Sequence, residues 1–408
     1  MNILIVNVHS SKNKGDAGIV LSMIDSIMKN IPDANIIVKS RFPEVDKEAY
    51  NVETHEAIYN VPVDPKVNKF KKVAYAFKLI RKLYSKTKPS SETKDYEWAD
   101  VVVSCGGGFL LSHKFSVALL QHLVQLKVAQ DFNKKTIIYS QSIGPFYNGF
   151  MKKVTRQVLN NVTKIFIREE ISKKWLREIK CTNNTVDVVP DTAFCMEALV
   201  DKDSKNLLTN YINNKSKRPI VGVTVRDWNF PEVDDTVAHR DKYIESIVKG
   251  VIYLENNLGA KVYFMPQVLG PNIFNDDRVI TKEILNKLPK SNAELLDYDL
   301  NPRVLKYFYS QMDMFIGTRM HSNIFALSSK IPTVAINYEH KTTGIMTMLG
   351  LEDYVLDINE ITPSDLESTI KLCWENRANY VEQLEGNIIS AIADAEKPAK
   401  YIKNLKIS

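Results

Sequence analysis

Short apolar runs alternate with longer amphipathic segments along the first half of the chain. Continuously apolar strands separated by helices are typical of a parallel sheet that helices cover on both faces. The pattern therefore predicts a doubly wound α/β domain over residues 1–200. Its predicted strands are 3–8, 34–39, 101–105, 136–140 and 164–168, and its predicted helices include 19–30, 114–130 and 149–162.

The alternation stops at residues 201–218, which are polar and rich in Asn and Ser, and we interpret them as a short helix followed by a linker. It resumes over 219–362 and predicts a second doubly wound domain. The strands predicted there are 219–226, 260–266, 293–298, 312–317, 332–337 and 354–358, and a helix over 243–259 ends at Gly259. Residues 363–408 are helical and amphipathic, and they are a candidate for packing across both domains.

Composition narrows the class of protein. The 408 residues are 44% hydrophobic, which is enough for two buried cores, and the net charge of +6 mildly favours acidic ligands. The lysines are scattered, with no basic arm carrying interleaved aromatic residues, so we expect no nucleic-acid partner. The four cysteines form no C-x-x-C pair and Cys105 lies in an apolar strand, so we expect reduced thiols and a cytoplasmic protein.

One basic segment leaves open whether the protein contacts a membrane surface. The N-terminal apolar run is short and lacks a basic start, and no run approaches 18 apolar residues, so we expect neither a signal peptide nor a spanning helix. Residues 66–88 are basic and amphipathic. They are either a solvated helix face or a peripheral contact with anionic lipid at the inner membrane face or with a polyanionic acceptor.

Ligands of open parallel sheets bind at the carboxyl ends of the strands, so polar and glycine residues there are the first candidates for a site. In the first half they are Gly15, Asp16, Gly106, Gly107, Gly108, Gln141 and Ser142, which we predict to be cleft loops. Glycines let a backbone approach a ligand, and a helix N-terminus favours an anion. The alternatives are that Asp16 only caps the first helix and that the glycines form a tight turn.

The second half adds cations. Arg226, Arg319 and Lys341 each follow a predicted strand, and arginine suits a bidentate grip on phosphate or carboxylate. His321 is a plausible proton donor once an anion binds, and Ser322 is the candidate helix cap. The alternatives are a packing role for His321 and a solvated surface charge for each cation. The acids and histidines match no metal-ligand spacing, so we expect no metal.

The chain carries a set of sequence motifs in the following order: GDAG (15–18), SCGGGF (104–109), QSIGPF (141–146), IRE (167–169), DVVPD (187–191), VTVR (223–226), GTRMHSNIFAL (317–327) and VAINYEHK (334–341). With these motifs the sequence resembles the polysaccharide pyruvyl transferase family. GGGF and GDAG are individually weak signals, whereas the ordered set, which spans residues 1 to about 350, is fairly specific.

The resemblance implies a fold similar to GT-B glycosyltransferases, with two Rossmann-like domains facing each other across a cleft. It implies transfer of the enolpyruvyl carbons of phosphoenolpyruvate to two hydroxyls of a sugar, forming a pyruvate ketal, with no cofactor. The family's R-x-H motif carries over to Arg319 and His321, its strand-end arginine to Arg226, and its Y-x-x-K segment to Tyr338 and Lys341.

On this basis we expect phosphoenolpyruvate in the second domain and a cell-surface glycan, or its lipid-linked precursor, in the first. His321 is the candidate general acid, and Arg226, Arg319, Lys341 and Ser322 are the candidate anion-binding residues. Asp16 is a weaker candidate for contacting the acceptor or for accepting its proton. Two alternatives are a nucleotide-sugar glycosyltransferase on the same architecture and a non-catalytic protein that binds glycans or anions.

Overall fold

The computed structural model describes residues 1–60, 69–212, 218–270, 275–288 and 290–406. The chain forms two compact units. The first comprises Met1–Ser11, Ile19–Cys195 and Ala393–Ser408, and the second comprises Lys12–Gly18 and Met196–Ile392. A short segment near the N-terminus therefore belongs to the second unit.

The first unit is built on a parallel sheet. Its strands are β1 (Asn2–Val8), β2 (Asn35–Ser40), β3 (Glu53–Glu56), β4 (Val101–Ser104), β5 (Gly107–Ser112), β6 (Lys135–Phe146), β7 (Lys164–Ile167) and β8 (Val186–Val188). They lie in the order β3-β2-β1-β4-β6-β7-β8, with β5 paired to β6. The helices are α1 (Lys14–Asn30), whose first turn belongs to the second unit, α2 (Pro43–Tyr50), α3 (Lys69–Tyr84), α4 (Lys94–Trp98), α5 (Val117–Asp131), α6 (Gly149–Leu159), α7 (Glu170–Glu178) and a 3₁₀ turn, Thr192–Cys195.

The second unit repeats this architecture. Its strands are β9 (Ile220–Thr224), β10 (Lys261–Phe264), β11 (Glu294–Leu295), β12 (Met314–Gly317), β13 (Thr333–Asn337) and β14 (Val355–Asp357), all parallel, in the order β11-β10-β9-β12-β13-β14. Its helices are α8 (Lys202–Ile212), α9 (Thr236–Leu258), α10 (Asp277–Asn286), α11 (Pro302–Tyr309), α12 (Met320–Ser328), α13 (His340–Met348), α14 (Pro363–Glu375) and most of α15 (Arg377–Ala395). A 3₁₀ turn, Glu352–Tyr354, precedes β14, and α16 (Lys397–Lys403) belongs to the first unit.

Each sheet reverses its direction of growth beside its first strand. In the second unit the chain adds two strands on one side of β9 and then places β12 on the other side. This is the strand order of a Rossmann-type sheet, whose ligands bind where the order reverses. All five residues of β9 and all four of β12 are buried, because helices cover both faces of the sheet.

The predicted α/β class is confirmed, and four local predictions are wrong. Gly107 and Gly108 begin β5, and Gln141 and Ser142 lie within β6, so these four residues are not loop residues. The sequence pattern does not show that β6 continues past Ser140, because the strand bulges between Ile138 and Gln141. Ser140 has a left-handed backbone conformation there (φ 46°), and the strand then resumes beside β5.

One more loop prediction is corrected by a helix, because Gly15 lies in the first turn of α1 and not in a loop. The short helix predicted at the start of the polar stretch is confirmed as α8, residues 202–212. Residues 213–217 of that stretch lie outside the described residues. The predicted stop of α9 at Gly259 is confirmed, since Gly259 adopts a left-handed conformation (φ 62°) that ends the helix.

Candidate active site

The predicted site residues of the second unit gather at one edge of its sheet. Thr224 of β9 is paired with Gly317 of β12, and Gly317 is paired with Ala335 of β13. Residues just beyond these three positions therefore leave the sheet side by side. The same edge contains the point where the strand order reverses, which is the expected ligand position in such sheets.

Arg226 follows β9 and stacks between two aromatic rings. Its guanidinium carbon lies 4.6 Å from the centre of the Trp228 ring and 4.1 Å from the centre of the Tyr338 ring. No carboxylate in the described ranges lies within ion-pair distance of it. The rings fix the plane of the guanidinium while its N–H groups lack a counter-charge, an arrangement suited to an anionic ligand.

Arg319 precedes the first residue of α12 and has a carboxylate partner. Its Nε lies 3.2 Å from each carboxylate oxygen of Asp277, and its Nη2 donates to Asp277 Oδ1. Burial alone would lower the pKa of Arg319, but the Asp277 carboxylate outweighs it and raises that pKa. Arg319 is therefore a fixed and permanently charged group whose charge is already matched within the protein.

Asp277 is itself anchored by backbone groups. The N–H groups of Gln267 and Val268 donate to its Oδ2 at 3.1 and 2.9 Å. Its side chain is 2% exposed, so the pair with Arg319 is a buried one. Removing one partner of such a pair leaves an uncompensated buried charge. The sequence does not single out Asp277, which lies 42 residues before Arg319.

His321 occupies the second position of α12 and lies against Gly15. A Cβ added at Gly15 would lie 2.7 Å from Cγ and 2.9 Å from Cβ of His321. The backbone brings this contact about, because Asn13 forms an antiparallel bridge with Val268 and Lys14 N–H donates to Gln267 O at 2.9 Å. The first glycine of GDAG thus admits the imidazole, a steric reason that the sequence alone does not reveal.

Asp16 is not the cap of α1. The side-chain oxygen of Asn13 accepts hydrogen bonds from Gly15 N–H and Asp16 N–H at 3.0 and 3.3 Å, so Asn13 is the capping residue. The Asp16 carboxylate in turn accepts a hydrogen bond from Asn13 Nδ2 at 2.9 Å. Asp16 is thereby held in the first turn of the helix that also carries Gly15.

Ser322 is not the cap of α12 either. It is the third residue of the helix and is fully buried. Its hydroxyl donates to Arg319 O at 2.6 Å and lies 2.7 Å from Thr224 Oγ1. The hydroxyl therefore joins α12 to β9. Lys341, in contrast, is half-buried in the first turn of α13, with its Nζ 3.5 Å from Glu339 Oε2.

A second lysine, missed in the sequence, lies on the same side of this unit. Lys14 is 5% exposed and pairs with Asp299, which also pairs with Lys12. Burial lowers the pKa of Lys14, although the Asp299 carboxylate acts in the opposite direction. Gln267, whose backbone carbonyl accepts the Lys14 N–H, is buried, and its Oε1 accepts a hydrogen bond from Tyr309 at 2.9 Å.

The candidates of the first unit are mostly structural. Ser142 Oγ accepts hydrogen bonds from Arg168 at 2.8 and 3.1 Å and donates to Glu169 at 2.9 Å. Arg168 also pairs with Asp191, whose other oxygen caps the 3₁₀ turn by accepting from Ala193 N–H. Gly106 is needed because a Cβ there would lie 2.8 Å from Tyr139 O.

The first unit has its own polar cluster where its strand order reverses. The rings of His9, Phe109 and His122 stack with centre-to-centre distances of 4.5–5.3 Å, and Arg41 Nη2 lies 3.5 Å from His122 Nε2. Burial lowers the pKa of His122 well below 6.5, so this histidine is neutral. Arg41 follows β2 and, within the described ranges, has no carboxylate partner. Arg41 and His122 are not among the site residues that the sequence predicts.

The described helices include none that is long and apolar enough to cross a membrane. Nor do three or more His, Cys, Asp or Glu side chains come together as a metal ion would require, within the described ranges.

Comparison with known proteins places the fold in a class. The chain shares its fold with S. aureus MnaA in a co-structure with UDP (TM-score 0.62, 12% identity, 98% of this chain and 96% of that one). It also shares it with a putative UDP-N-acetylglucosamine 2-epimerase from Listeria monocytogenes (TM-score 0.64, 10% identity, 98% and 95%). The fold is therefore of the GT-B type, with two Rossmann-like domains.

The family follows from the sequence match. Residues 13–340 match the model of the polysaccharide pyruvyl transferase family, and the chain belongs to that family. The chain is also 24% identical to the amylovoran biosynthesis protein AmsJ of Erwinia amylovora, over 96% of this chain and 98% of AmsJ. It is thus a pyruvyltransferase of polysaccharide biosynthesis, as the motifs predicted.

Proposed function

We propose that the protein transfers the three enolpyruvyl carbons of phosphoenolpyruvate to two hydroxyls of one sugar, with formation of a pyruvate ketal and release of phosphate. The observation that carries this proposal is Arg226, which stacks between Trp228 and Tyr338 without a carboxylate partner in the described ranges. Phosphoenolpyruvate bears both a phosphate and a carboxylate, and a planar guanidinium can bind either with two parallel hydrogen bonds.

The reaction needs a proton donor beside that anion site. Protonation of the methylene carbon by His321 gives a cationic centre at the neighbouring carbon, and the first sugar hydroxyl adds there and loses its proton. The bond from this carbon to the phosphate oxygen then breaks, phosphate leaves, and the second hydroxyl adds and loses its proton. One released proton restores His321 and the other passes to phosphate or solvent, so atoms and charge balance.

Each residue of the second unit has a distinct assignment in this proposal. His321 is the general acid, Arg226 binds one anionic group, and Lys341 and the Arg319 guanidinium, which Asp277 holds in place, flank the other. Asp16 accepts a proton from a sugar hydroxyl. The reaction as written requires no metal or cofactor.

The acceptor is assigned to the first unit. Arg41 lacks a carboxylate partner in the described ranges, and the rings of Phe109 and His9 form an apolar surface beside it. Such a pair of features binds a sugar that carries an acidic group, since the ring face packs on the sugar and the guanidinium binds the anion. A lipid-linked sugar diphosphate and an acidic polysaccharide repeat both have this chemistry.

The test is an incubation of the full chain with phosphoenolpyruvate and candidate glycans. We expect phosphate release together with a mass gain of one ketal-linked pyruvate on the acceptor. The His321→Gln variant should lose about 10²- to 10⁴-fold in kcat. Stabilisation of the protein by UDP but not by phosphoenolpyruvate would instead favour a nucleotide-sugar transferase. Binding of glycans or anions with no turnover of any acceptor would favour a non-catalytic role.

A further inference from the structure

Helix α3 of the first unit carries only one sign of charge. It contains six Lys or Arg residues, and no Asp or Glu occurs between Asp64 and Glu92. One face of α3 packs into the core through Leu79 and Leu83, which are 0% and 3% exposed. The remaining surface of the helix is therefore strongly basic. Residues 66–68 of the basic segment noted in the sequence lie outside the described residues.

The same helix exposes large apolar side chains. Val73 is 54% exposed, Phe77 68% and Tyr84 52%, and Phe70, one turn earlier, is 83% exposed. Their spacings of three, four and seven residues place them in one stripe along the helix. A merely solvated helix face would carry polar side chains there. An exposed aromatic stripe flanked by basic residues is instead typical of helices that lie in a membrane interface.

We propose that α3 docks the protein onto a bilayer surface that contains anionic phospholipids. Its stripe of exposed apolar side chains, which includes Phe77, inserts between the lipid head groups. Charge complementarity decides the occupant. Lys71, Lys72 and Arg81 are exposed and have no acidic neighbour on the helix, and Arg81 lies one turn after Phe77 beside the stripe, so they match a sheet of phosphodiesters. A second copy of α3 would bring like charges together and is disfavoured on the same ground.

Docking would hold the enzyme where a lipid-linked glycan is presented, but the inference does not rest on the proposed reaction. It is tested by sedimenting the full chain with vesicles of phosphatidylcholine, with or without phosphatidylglycerol, and no phosphoenolpyruvate. We expect binding to the anionic vesicles only, and a steep decrease as salt rises. A failure of the transferase assay would leave this result unchanged.

Two variants separate insertion from charge. Val73→Ser combined with Phe77→Ser should weaken partitioning at least tenfold, and so should Lys71→Glu combined with Lys72→Glu. The matched control is Ile389→Ser on α15, a residue that is 72% exposed but lies on a helix with acidic residues. Melting temperatures and turnover on a water-soluble acceptor should stay unchanged in all three, because these side chains are exposed.

Other outcomes would overturn the inference. These are equal binding to neutral and anionic vesicles, no binding to either, and full binding by the Val73→Ser, Phe77→Ser variant. Light scattering, which reports the oligomeric state, could give one further outcome that overturns the inference. A wild-type protein that is dimeric in solution, and that becomes monomeric on the same double substitution, would mean that a second copy covers the stripe.

Discussion

Gly15 and the imidazole of His321 are in such close contact that no side chain fits between them. An added Cβ would come within 2.7 Å of the ring carbon Cγ. The two residues belong to segments that the backbone joins through Asn13 and Val268, so the first turn of α1 cannot simply withdraw. The proposed general acid is thus positioned by a glycine more than 300 residues away in the sequence.

The Gly15→Ala variant tests this relationship. We expect the methyl group to displace the imidazole and to lower kcat at least tenfold, while Tm falls by a few degrees at most, since the substitution lies at a helix terminus. Gly149→Ala is the control, because Gly149 also lies in the first turn of a helix and has no atom within 4 Å of the added Cβ. Normal kcat in Gly15→Ala would show that the ring position is not critical.

Arg226 should be sensitive to the loss of its planar shape and not only of its charge. Lysine keeps the charge but neither stacks between Trp228 and Tyr338 nor donates in a fork. We expect Arg226→Lys to raise KM for phosphoenolpyruvate at least tenfold, measured by initial rates of phosphate release. Arg177→Lys, an exposed position on α7, is the control. An unchanged KM would remove Arg226 from the anion site.

The sequence predicts the edge of the site well. Arg226, Arg319 and His321 follow apolar strands, and in a parallel sheet the residues beyond neighbouring strands come together whatever the intervening chain does. The alternation of strands and helices is a local signal, and for the same reason the α/β class could be recognised from it. The motif order then identified the family.

The partners within the site could not be predicted. Asp277 reaches Arg319 because the backbone N–H groups of Gln267 and Val268 hold its carboxylate, and such a contact depends on tertiary geometry. Likewise, the inclusion of Lys12–Gly18 in the second unit depends on a bridge between residues with no shared local pattern. The cap predicted at Ser322 is wrong, and the alternative that Asp16 is only a cap is excluded, since several polar residues adjoin each helix start.

Ser322 should affect stability and not donor binding. Its buried hydroxyl lies between Arg319 O and Thr224 Oγ1, where it links α12 to β9. Ser322→Ala leaves buried polar groups without this partner, so we expect a loss of about 1–3 kcal/mol in the free energy of unfolding, measured by urea denaturation. KM for phosphoenolpyruvate should stay within about twofold of wild type. A large rise in KM with unchanged stability would restore Ser322 to the anion site.

Asp299 should contribute to stability in a pH-dependent way. Burial alone would raise its pKa, but the hydrogen bonds and charges of Lys12 and Lys14 outweigh this and lower the pKa below 3.8. A carboxyl whose folded pKa is depressed stabilises the protein above its unfolded pKa, and the contribution is lost as pH falls through the folded pKa.

The corresponding experiment compares Tm of wild type and Asp299→Asn from pH 7 to pH 3. We expect the variant to melt lower at pH 7 and the difference to shrink below about pH 4, the ordinary range of an aspartate. Asp187→Asn is the control, because Asp187 also pairs with a lysine, Lys164, but its side chain is 54% exposed. A difference that grows on acidification would mean that the ion pair with Lys14 is not what stabilises this segment.

Arg41 separates acceptor binding from donor binding. Burial lowers the pKa of its guanidinium, yet the ordinary pKa of arginine is so high that the group remains charged at neutral pH. A charged and largely buried arginine without a carboxylate partner in the described ranges is costly unless a ligand anion compensates it. We therefore expect Arg41→Met to raise KM for the glycan at least tenfold and to leave KM for phosphoenolpyruvate unchanged. Because the ligand-free protein no longer buries this charge, Tm should not fall, and a fall in Tm with both KM values unchanged would assign Arg41 to packing alone.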